Sequence, residues 1–245
     1  TKTPNGRKIS IMLEEIKLDY KITEINLSEG EQFKSNFRKI SPLSKIPAII
    51  DHKNKISFFQ SWASLIYLAE QSGKFYNSDN RHLINQWLMA QMSDIDPMLG
   101  QHHQFHHYNP GKSKFGEERY FKICERIYLE LDMRLKNSKF LAYDEYTIAV
   151  ITTFPWIARH EWHDIGLKKF KNLSRYKKNQ KMNKMEGKYF FRIWPEKNNT
   201  ILFVCKKYII NFMKKKKILI MGLPGSGKTY LAKELIKRID AVWLN

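Results

Sequence analysis

The sequence predicts a small α/β unit followed by an all-helical bundle. Before Ser61, short stretches in which hydrophobic and polar residues alternate, as in strands, lie between stretches with helical spacing. From Leu83 onward the spacing of the hydrophobic residues becomes helical. The chain has 245 residues, of which 42% are hydrophobic, and this is enough to bury one large core or two smaller ones.

The α/β unit opens with an amphipathic helix. Asn5, in the turn before it, is the expected N-cap. Hydrophobic residues follow at the spacing of one helix face: Ile9, Met12, Leu13 and Ile16. Residues 20–27 alternate between hydrophobic and polar side chains, which predicts a half-buried strand. Residues 33–40 predict a short second helix.

The stretch from Ser41 to Ser61 predicts a strand, a tight turn at residues 51–55, a second strand and the start of a helix. Ser61 is the expected N-cap of that helix, over residues 62–71. Backbone donors at such a helix start, with the helix dipole behind them, suit a small carboxylate. This element order is that of a thioredoxin-like unit without its first strand, which we expect to precede Thr3.

The bundle is predicted from three helical patterns. The first lies at residues 83–92 and is expected to break near Pro97 and Gly100. The second is a long helix over residues 120–135, and the third is a hydrophobic helix over residues 148–162.

The formal net charge of +19 is concentrated in one segment. Residues 168–217 hold 17 lysines and arginines against two glutamates, and the rest of the chain is close to neutral. Such a segment is either a solvated tail or a patch that binds nucleic acid or an anionic membrane. We expect a solvated tail and no nucleic-acid partner, because the charges do not follow one recognisable binding fold.

Cysteine usage and hydropathy predict a cytoplasmic protein. Cys124 and Cys205 are far apart and outside any metal-binding spacing, which fits a reducing compartment. The most hydrophobic run, residues 200–213, contains Lys206 and Lys207 and is too short and too charged to cross a bilayer. We therefore expect no signal peptide and no membrane partner.

A set of short motifs resembles a cytosolic glutathione S-transferase, and most closely the nu class of bacteria and its fungal relatives. The motifs are Thr3-Pro4-Asn5-Gly6, Ile40-Ser41-Pro42, Lys45-Ile46-Pro47-Ala48-Ile49, Ser61 with Ile66-Tyr67-Leu68-Ala69-Glu70, and Pro97-Met98-Leu99-Gly100-Gln101. The resemblance covers about residues 1–176. It implies a thioredoxin-like glutathione-binding domain at residues 1–74, a helical domain at 80–178, and a homodimer.

The resemblance also implies how glutathione binds. The proline matching Pro47 is cis in that family, and the backbone of the residue before it, here Ile46, pairs with the cysteinyl unit. Ser61 would bind the γ-glutamyl carboxylate with its hydroxyl and backbone N–H. Lys45 would reach the glycyl carboxylate as a point charge. Gln32 and Arg119 match further positions that contact the ligand.

The implied chemistry is that of a glutathione-dependent disulfide reductase, or of a transferase acting on an electrophile. Thr3 and Asn5 match the positions that face the glutathione sulfur, and we predict that they are the catalytic residues. A helix start or a hydroxyl donor lowers a thiol pKa from about 8.5 and so favours the thiolate. No cysteine lies in this part of the chain, so the nucleophile would come from glutathione.

The sequence departs from the family pattern at three places, which keep a non-catalytic glutathione-binding or interaction module open as the alternative. Gln60 replaces a glutamate; as a glutathione-binding residue its neutral amide would keep a hydrogen bond to the glutathione ammonium but lose the charge assistance. Trp62 replaces a small residue beside the ligand and is expected to crowd it. At Thr147 the helix capping box lacks its acid, because Val150 occupies that position.

Four histidines have the i, i+4 spacing of metal ligands if they are helical: His102, His103, His106 and His107. In the family this segment lines the cleft without a metal. We therefore predict no metal site.

The C-terminal part carries a different motif. Residues 179–213 keep neither a helical nor a strand period and are expected to be a basic linker or an out-of-frame segment. A strand-like run at residues 218–221 is followed by the phosphate-binding pattern GxxxxGK[ST]. Its residues are Gly222, Gly225, Ser226, Gly227, Lys228 and Thr229.

This pattern predicts a nucleotide-binding fragment at residues 214–245. Its glycines let backbone N–H groups approach phosphates, while Lys228 would reach the β- and γ-oxygens of ATP and Thr229 would suit Mg²⁺. About residues 216–245 resemble the start of an adenylylsulfate kinase, which is a third candidate function. We expect no kinase activity, because the chain ends before the acid and base of such an enzyme.

Overall fold

The computed structural model describes residues 3–142 and 144–178. The helices are α1 (Pro4–Ile16), α2 (Ser35–Arg38), α3 (Ser61–Ser72), α4 (Arg81–Ala90), α5 (Asp96–His102), α6 (Lys114–Arg134), α7 (Ile148–Ile157) and α8 (Lys171–Lys178). The strands are β1 (Ala48–Asp51) and β2 (Ile56–Phe59). The linker predicted at 179–213 and the nucleotide-binding fragment at 214–245 lie outside the described residues.

The predicted first helix is confirmed, but its N-cap is Thr3 and not Asn5. Thr3 is extended, with φ −87° and ψ 149°, and its Oγ1 accepts a hydrogen bond from the Gly6 backbone N–H at 3.2 Å. Pro4 occupies the first turn, where its missing N–H is not needed. The helix therefore starts before Asn5. The side chains of Ile9, Met12 and Leu13 are buried as predicted.

The strand predicted at residues 20–27 is wrong. Within the described residues the one sheet consists of β1 and β2, so residues 20–27 have no neighbouring strand with which to exchange backbone hydrogen bonds. Ile22 and Leu27 are accordingly 53% and 43% exposed. The short second helix is confirmed as a 3₁₀ turn, Glu31–Phe33, that leads into α2.

The predicted hairpin between Ser41 and Ser61 is confirmed. β1 and β2 are antiparallel, and Ala48 pairs with Phe59. The turn is stabilised by Asp51, whose Oδ1 accepts from the backbone N–H of Lys53 at 2.8 Å and of Asn54 at 3.0 Å. The hairpin packs on α3, because the Tyr67 hydroxyl donates to Asp51 Oδ2 at 2.6 Å. The peptide bond before Pro47 is cis.

The start of α3 differs from the prediction by one residue. Gln60, with φ 71° and ψ 120°, is the N-cap, and its side chain makes no capping hydrogen bond. The left-handed φ of Gln60 turns the chain sharply from β2 into the helix. Ser61 therefore becomes the first helical residue.

The expected break near Pro97 and Gly100 is wrong, because the chain stays helical from Arg81 to Tyr108. A π-helical turn, Gln91–Ile95, comes directly before α5, and this irregular turn accommodates Pro97, which has no backbone N–H, within the continuous helix. A second π turn, His103–Tyr108, follows α5. Gly100 lies beside Trp156, which a Cβ on Gly100 would approach to 3.5 Å.

Helix α6 confirms the predicted long helix, and α7 confirms the hydrophobic one but ends at Ile157. All ten residues of α7 are buried, and the helix packs against α1 and α3 as well as α4 and α5. It therefore forms a core shared by the N-terminal unit and the helical part. None of the described helices is long and apolar enough to cross a membrane.

The start of α7 lacks a side-chain cap, which goes further than the sequence prediction that Val150 cannot return the second hydrogen bond of a capping box. Thr147 is the N-cap residue, yet its Oγ1 is buried without a hydrogen-bond partner among the described residues. Val150 itself is fully buried in the core.

Candidate active site

The hairpin brings the predicted binding residues together. In the antiparallel register Ala48 lies opposite Phe59, so Ile46-Pro47, just before the first strand, and Gln60-Ser61, just after the second, lie at the same end of the hairpin. The loop before Pro47 is held by Ser41, whose hydroxyl donates to the Lys45 carbonyl at 2.7 Å and accepts from the Lys45 N–H at 3.3 Å. Ile46 and Pro47, which the resemblance assigns to the same ligand as Ser61, thus lie at the end of the hairpin where α3 starts.

The start of α3 provides donors for a carboxylate. Ser61 is 3% exposed, and as the first helical residue it has a backbone N–H without an intrahelical acceptor. The Gln60 carbonyl is already used, because it accepts from both the N–H and the hydroxyl of Ser64, at 3.1 and 3.0 Å. The Gln60 side chain is exposed and neutral.

The start of α1 presents the two predicted catalytic side chains. The Thr3 hydroxyl oxygen accepts a hydrogen bond from the Gly6 N–H. The hydroxyl proton has no acceptor among the described residues, so it can be donated to a ligand. Asn5 Oδ1 is buried and has no hydrogen-bond partner there. An unpaired buried amide is costly, so Asn5 fits a ligand that supplies the missing bond.

Three other predicted residues lie on separate elements. Lys45 is exposed in the loop before Pro47. Gln32 is in the 3₁₀ turn, and its Oε1 is buried without a partner among the described residues. Arg119 is exposed on α6. No hydrogen bond within the described residues connects Gln32 or Arg119 to the two helix starts.

Trp62 points from α3 toward the helical part. Its Nε1 donates to Gln91 Oε1 at 2.5 Å, and Lys8 Nζ lies 4.4 Å from the centre of its ring. Lys8 also pairs with Asp96 Oδ2 at 2.7 Å and is completely buried. Burial lowers the pKa of Lys8 to about 8, against the opposing effect of the Asp96 carboxylate.

The sequence prediction did not identify Lys8 as a buried ion-pair residue. A signal was present, because Lys8 lies four residues before Met12 and so shares the hydrophobic face of α1.

The histidine segment is helical and brings the i, i+4 pairs together, although only the His102 and His106 rings stack, while the His103 and His107 rings are tilted by 56°. The His102 and His106 ring centres are 4.9 Å apart, and those of His103 and His107 are 6.1 Å apart. His163, which the prediction missed, stacks on His103 at 4.6 Å. Burial, followed by the nearby Arg159 charge, lowers the pKa of His103 to about 3.

The same cluster is held by hydrogen bonds. Tyr128 Oη lies 2.7 Å from His163 Nδ1, and His102 Nε2 lies 3.0 Å from the His163 carbonyl oxygen. Over residues 3–142 and 144–178, no group of histidine, cysteine and acidic side chains has an arrangement that could hold a metal ion.

Comparison with known proteins connects this geometry to one family. The model of the glutathione S-transferase N-terminal domain matches residues 2–70. The chain is 43% identical over 162 residues to the disulfide-bond oxidoreductase YfcG of Escherichia coli, an alignment that covers 63% of this chain and 75% of YfcG. It is 37% identical over 164 residues to the disulfide-bond oxidoreductase YghU of the same species, covering 63% of this chain and 57% of YghU.

Solved structures agree. A glutathione transferase family member from Pseudomonas fluorescens, with two glutathione bound, matches with a TM-score of 0.66 at 36% identity, over 71% of this chain and 82% of that one. A glutathione transferase from Pseudomonas putida, with one glutathione disulfide bound per subunit, matches with a TM-score of 0.67 at 34% identity, over 75% and 86%. The chain belongs to the glutathione S-transferase family.

Proposed function

We propose that this protein is a glutathione-dependent disulfide oxidoreductase of the nu-class type, or a transferase, which uses the glutathione thiolate. The observation that carries the proposal is the hairpin register, which supports a site with Ile46 and Pro47 at the same end of the hairpin as Ser61, the first residue of α3. The proposal is supported by the relatives YfcG and YghU, which are disulfide-bond oxidoreductases.

The residues fit glutathione at both ends. Ser61 offers a hydroxyl and a free backbone N–H to the γ-glutamyl carboxylate at the positive end of α3. The Ile46 backbone pairs with the cysteinyl unit, and Lys45 reaches the glycyl carboxylate. The buried acceptors of Asn5 and Gln32 give further unpaired polar atoms for a polar ligand.

The thiol end faces the start of α1. When bound, glutathione supplies the reductant: two glutathione thiols are oxidised to one glutathione disulfide while one substrate disulfide is reduced to two thiols. The Thr3 hydroxyl donates to the sulfur, and the positive end of α1 favours the thiolate. Arg119 adds a positive charge from α6 for a second glutathione or a glutathione disulfide.

Cys124, the cysteine in the described part of the chain, is not suited to act as the nucleophile in place of glutathione. Cys124 is completely buried on α6, and burial raises the pKa of its thiol to about 12. A thiol with this pKa is protonated at neutral pH and inert.

A coupled assay tests the proposal. Glutathione, a small disulfide, and glutathione reductase with NADPH are mixed with the wild-type protein and with the Thr3→Val and Cys124→Ala variants. We expect glutathione-dependent turnover in the wild type and in Cys124→Ala, and a large loss in Thr3→Val. Absence of glutathione-dependent turnover in the wild type would refute the enzymatic proposal.

A second candidate is a glutathione-binding module without catalysis. The observation that favours it is the neutral side chain of Gln60 beside Ser61, which removes a charged partner from the ligand ammonium. Calorimetry that shows glutathione binding in a protein without turnover would establish this candidate instead.

We also propose that the protein is a homodimer in the cytoplasm, on the basis of the family resemblance and the cysteine usage. Light scattering on the purified protein at several concentrations measures the assembly. A monomer mass at all concentrations would contradict the dimer.

For the C-terminal part we propose binding of a nucleotide phosphate at residues 222–229. The support is the sequence pattern alone, with Lys228 and Thr229 at the positions that meet phosphate and Mg²⁺. An ATP titration with and without Mg²⁺, compared with the Lys228→Ala variant, tests it. Identical titration curves for the two proteins would refute it.

A further inference from the structure

Four buried or half-buried side chains form a polar group between the N-terminal unit and the helical part; Lys8, Trp62, Gln91 and Asp96 are called the Lys8 cluster. Lys8 and Gln91 are fully buried, and Asp96 is 6% exposed. Lys8 Nζ donates to Asp96 Oδ2 at 2.7 Å and to Gln91 Oε1 at 3.2 Å. It also lies over the Trp62 ring, at 4.4 Å from its centre.

The cluster connects the two helix starts of the proposed site. Lys8 is on α1, five positions after Thr3, and Trp62 follows Ser61 directly on α3. Both side chains meet the same atom, Gln91 Oε1, which accepts from Lys8 Nζ and from Trp62 Nε1. A single amide oxygen thus fixes the distance between an α1 side chain and an α3 side chain.

The other end of the cluster is anchored in the core. Gln91 Nε2 donates to the Thr152 carbonyl of α7 at 3.4 Å, which fixes the orientation of the amide. Asp96 begins α5 and supplies the negative charge that compensates Lys8. We expect the side chains of Gln91 and Asp96 to keep these orientations, because a buried charge or amide left without its partner carries a large desolvation cost.

A buried ion pair contributes little net stability compared with well-packed hydrophobic residues, and in some proteins it specifies a defined geometry instead. Here the geometry that the pair defines is the direction of the Trp62 indole. Because Trp62 is adjacent to Ser61 in the first turn of α3, the same contacts hold the Ser61 backbone relative to α1.

We propose that Lys8, with Asp96 and Gln91, acts as a positioning residue that holds Trp62 and thereby Ser61 at a fixed separation from Thr3. The inference rests on the proposed function, in which one glutathione contacts Ser61 with its carboxylate and Thr3 with its sulfur. A ligand that spans both helix starts loses affinity when their separation changes, since hydrogen bonds tolerate only small displacements.

The decisive variant is the double substitution Lys8→Met and Asp96→Asn, which removes both charges and leaves no lone buried ion. Trp62→Phe removes the indole N–H that reaches Gln91, together with part of the ring that Lys8 contacts. Trp87→Phe is the matched control, because Trp87 lies on α4 next to Arg134 and outside the cluster. For each protein we measure the thermal midpoint, the glutathione Kd by calorimetry, and KM and kcat in the coupled assay.

We expect the double variant to raise both the Kd and the KM for glutathione by about tenfold, the effect of one lost hydrogen bond, while kcat changes by less than about twofold. Trp62→Phe should raise the KM by about threefold, and Trp87→Phe should leave it unchanged. This split between KM and kcat is not expected from general destabilisation, which lowers the amount of active protein and therefore the apparent kcat.

A folded double variant with the wild-type KM would overturn the positioning role and leave the proposed function intact. If the double variant does not fold, Trp62→Phe decides alone, and a wild-type KM in that folded variant overturns the proposal. A wild-type protein that neither binds nor turns over glutathione would instead overturn the proposed function, and this inference with it.

Discussion

Lys8 and Asp96, 88 positions apart in the sequence, form an ion pair of 2.7 Å in which the lysine is completely buried. The pair joins α1 of the N-terminal unit to α5 of the helical part. Each charge depends on the other, because neither has access to enough water for its own solvation.

The first prediction concerns removal of one charge. Lys8→Met leaves the Asp96 carboxylate buried without a cation, and we expect a loss of about 3–5 kcal/mol in the free energy of unfolding. Adding Asp96→Asn to this variant should restore most of that loss. Urea unfolding measures all three proteins, with Lys39→Met at an exposed position of the N-terminal unit as the control. Equal stability of Lys8→Met and the wild type would contradict the prediction.

The second prediction concerns alkaline pH. The folded-state pKa of Lys8 is about 8, below its ordinary value of 10.5, because burial outweighs the attraction of Asp96. Between these values the unfolded chain binds a proton at Lys8 that the folded chain does not, so this group makes stability rise with pH from about 8 to 10.5. The Lys8→Met, Asp96→Asn variant should lack this contribution. If the free energy of unfolding changes with pH equally in the variant and the wild type between about pH 8 and 10.5, the proposed contribution of Lys8 is excluded.

The third prediction concerns acid. Burial, followed by the Arg159 charge, lowers the pKa of His103 from 6.5 to about 3, so unfolding takes up a proton as the pH falls through this range. Stability should therefore decrease on acidification, by up to about 1.4 kcal/mol per pH unit for this one group. His103→Gln should flatten the decrease, while His82→Gln, at an exposed position, should not. Fluorescence-detected urea unfolding at a series of pH values measures the slopes, and the same slope in all three proteins would refute this account.

The fourth prediction concerns α8. Asp132 of α6 caps this helix from outside, because its Oδ1 accepts from the backbone N–H of Asn172 and of Leu173, both at 2.8 Å. Asp132→Ala should destabilise the protein by about 1–3 kcal/mol, since two helix-start donors lose their acceptor. Glu130→Ala, at an exposed position two residues earlier, is the control. A thermal midpoint for Asp132→Ala equal to that of the control would rule out the capping role.

The elements predicted correctly are those that local patterns determine. The hydrophobic face of α1 and the length of α6 follow from helical spacing, and the β1–β2 hairpin follows from two hydrophobic runs around a turn. The strand expected at residues 20–27 failed because a strand also needs a partner, which the alternation of its side chains does not supply.

The residues proposed for the candidate site come from local motifs, whereas the contacts that hold them could not be predicted. The motif with Ile46 and Pro47 and the position of Ser61 are local in sequence, so the resemblance located them. The exact helix starts depended on backbone angles at Thr3 and Gln60, which residue preferences do not determine. Contacts between distant segments, such as Asp96 with α1 and Asp132 with α8, left no periodic signal in the sequence.

The most direct test of the central claim, that Ser61 binds the γ-glutamyl end of glutathione, is a calorimetric titration of glutathione into the wild type, Ser61→Ala and Ser72→Ala. Ser72 lies at the opposite end of α3 and donates to the Ala69 carbonyl, so it is the matched control. We predict binding by the wild type and by Ser72→Ala, and a Kd about 10–100-fold higher for Ser61→Ala, the worth of a hydrogen bond to a charged group. No binding by the wild type, or an unchanged Kd in Ser61→Ala, would contradict the account.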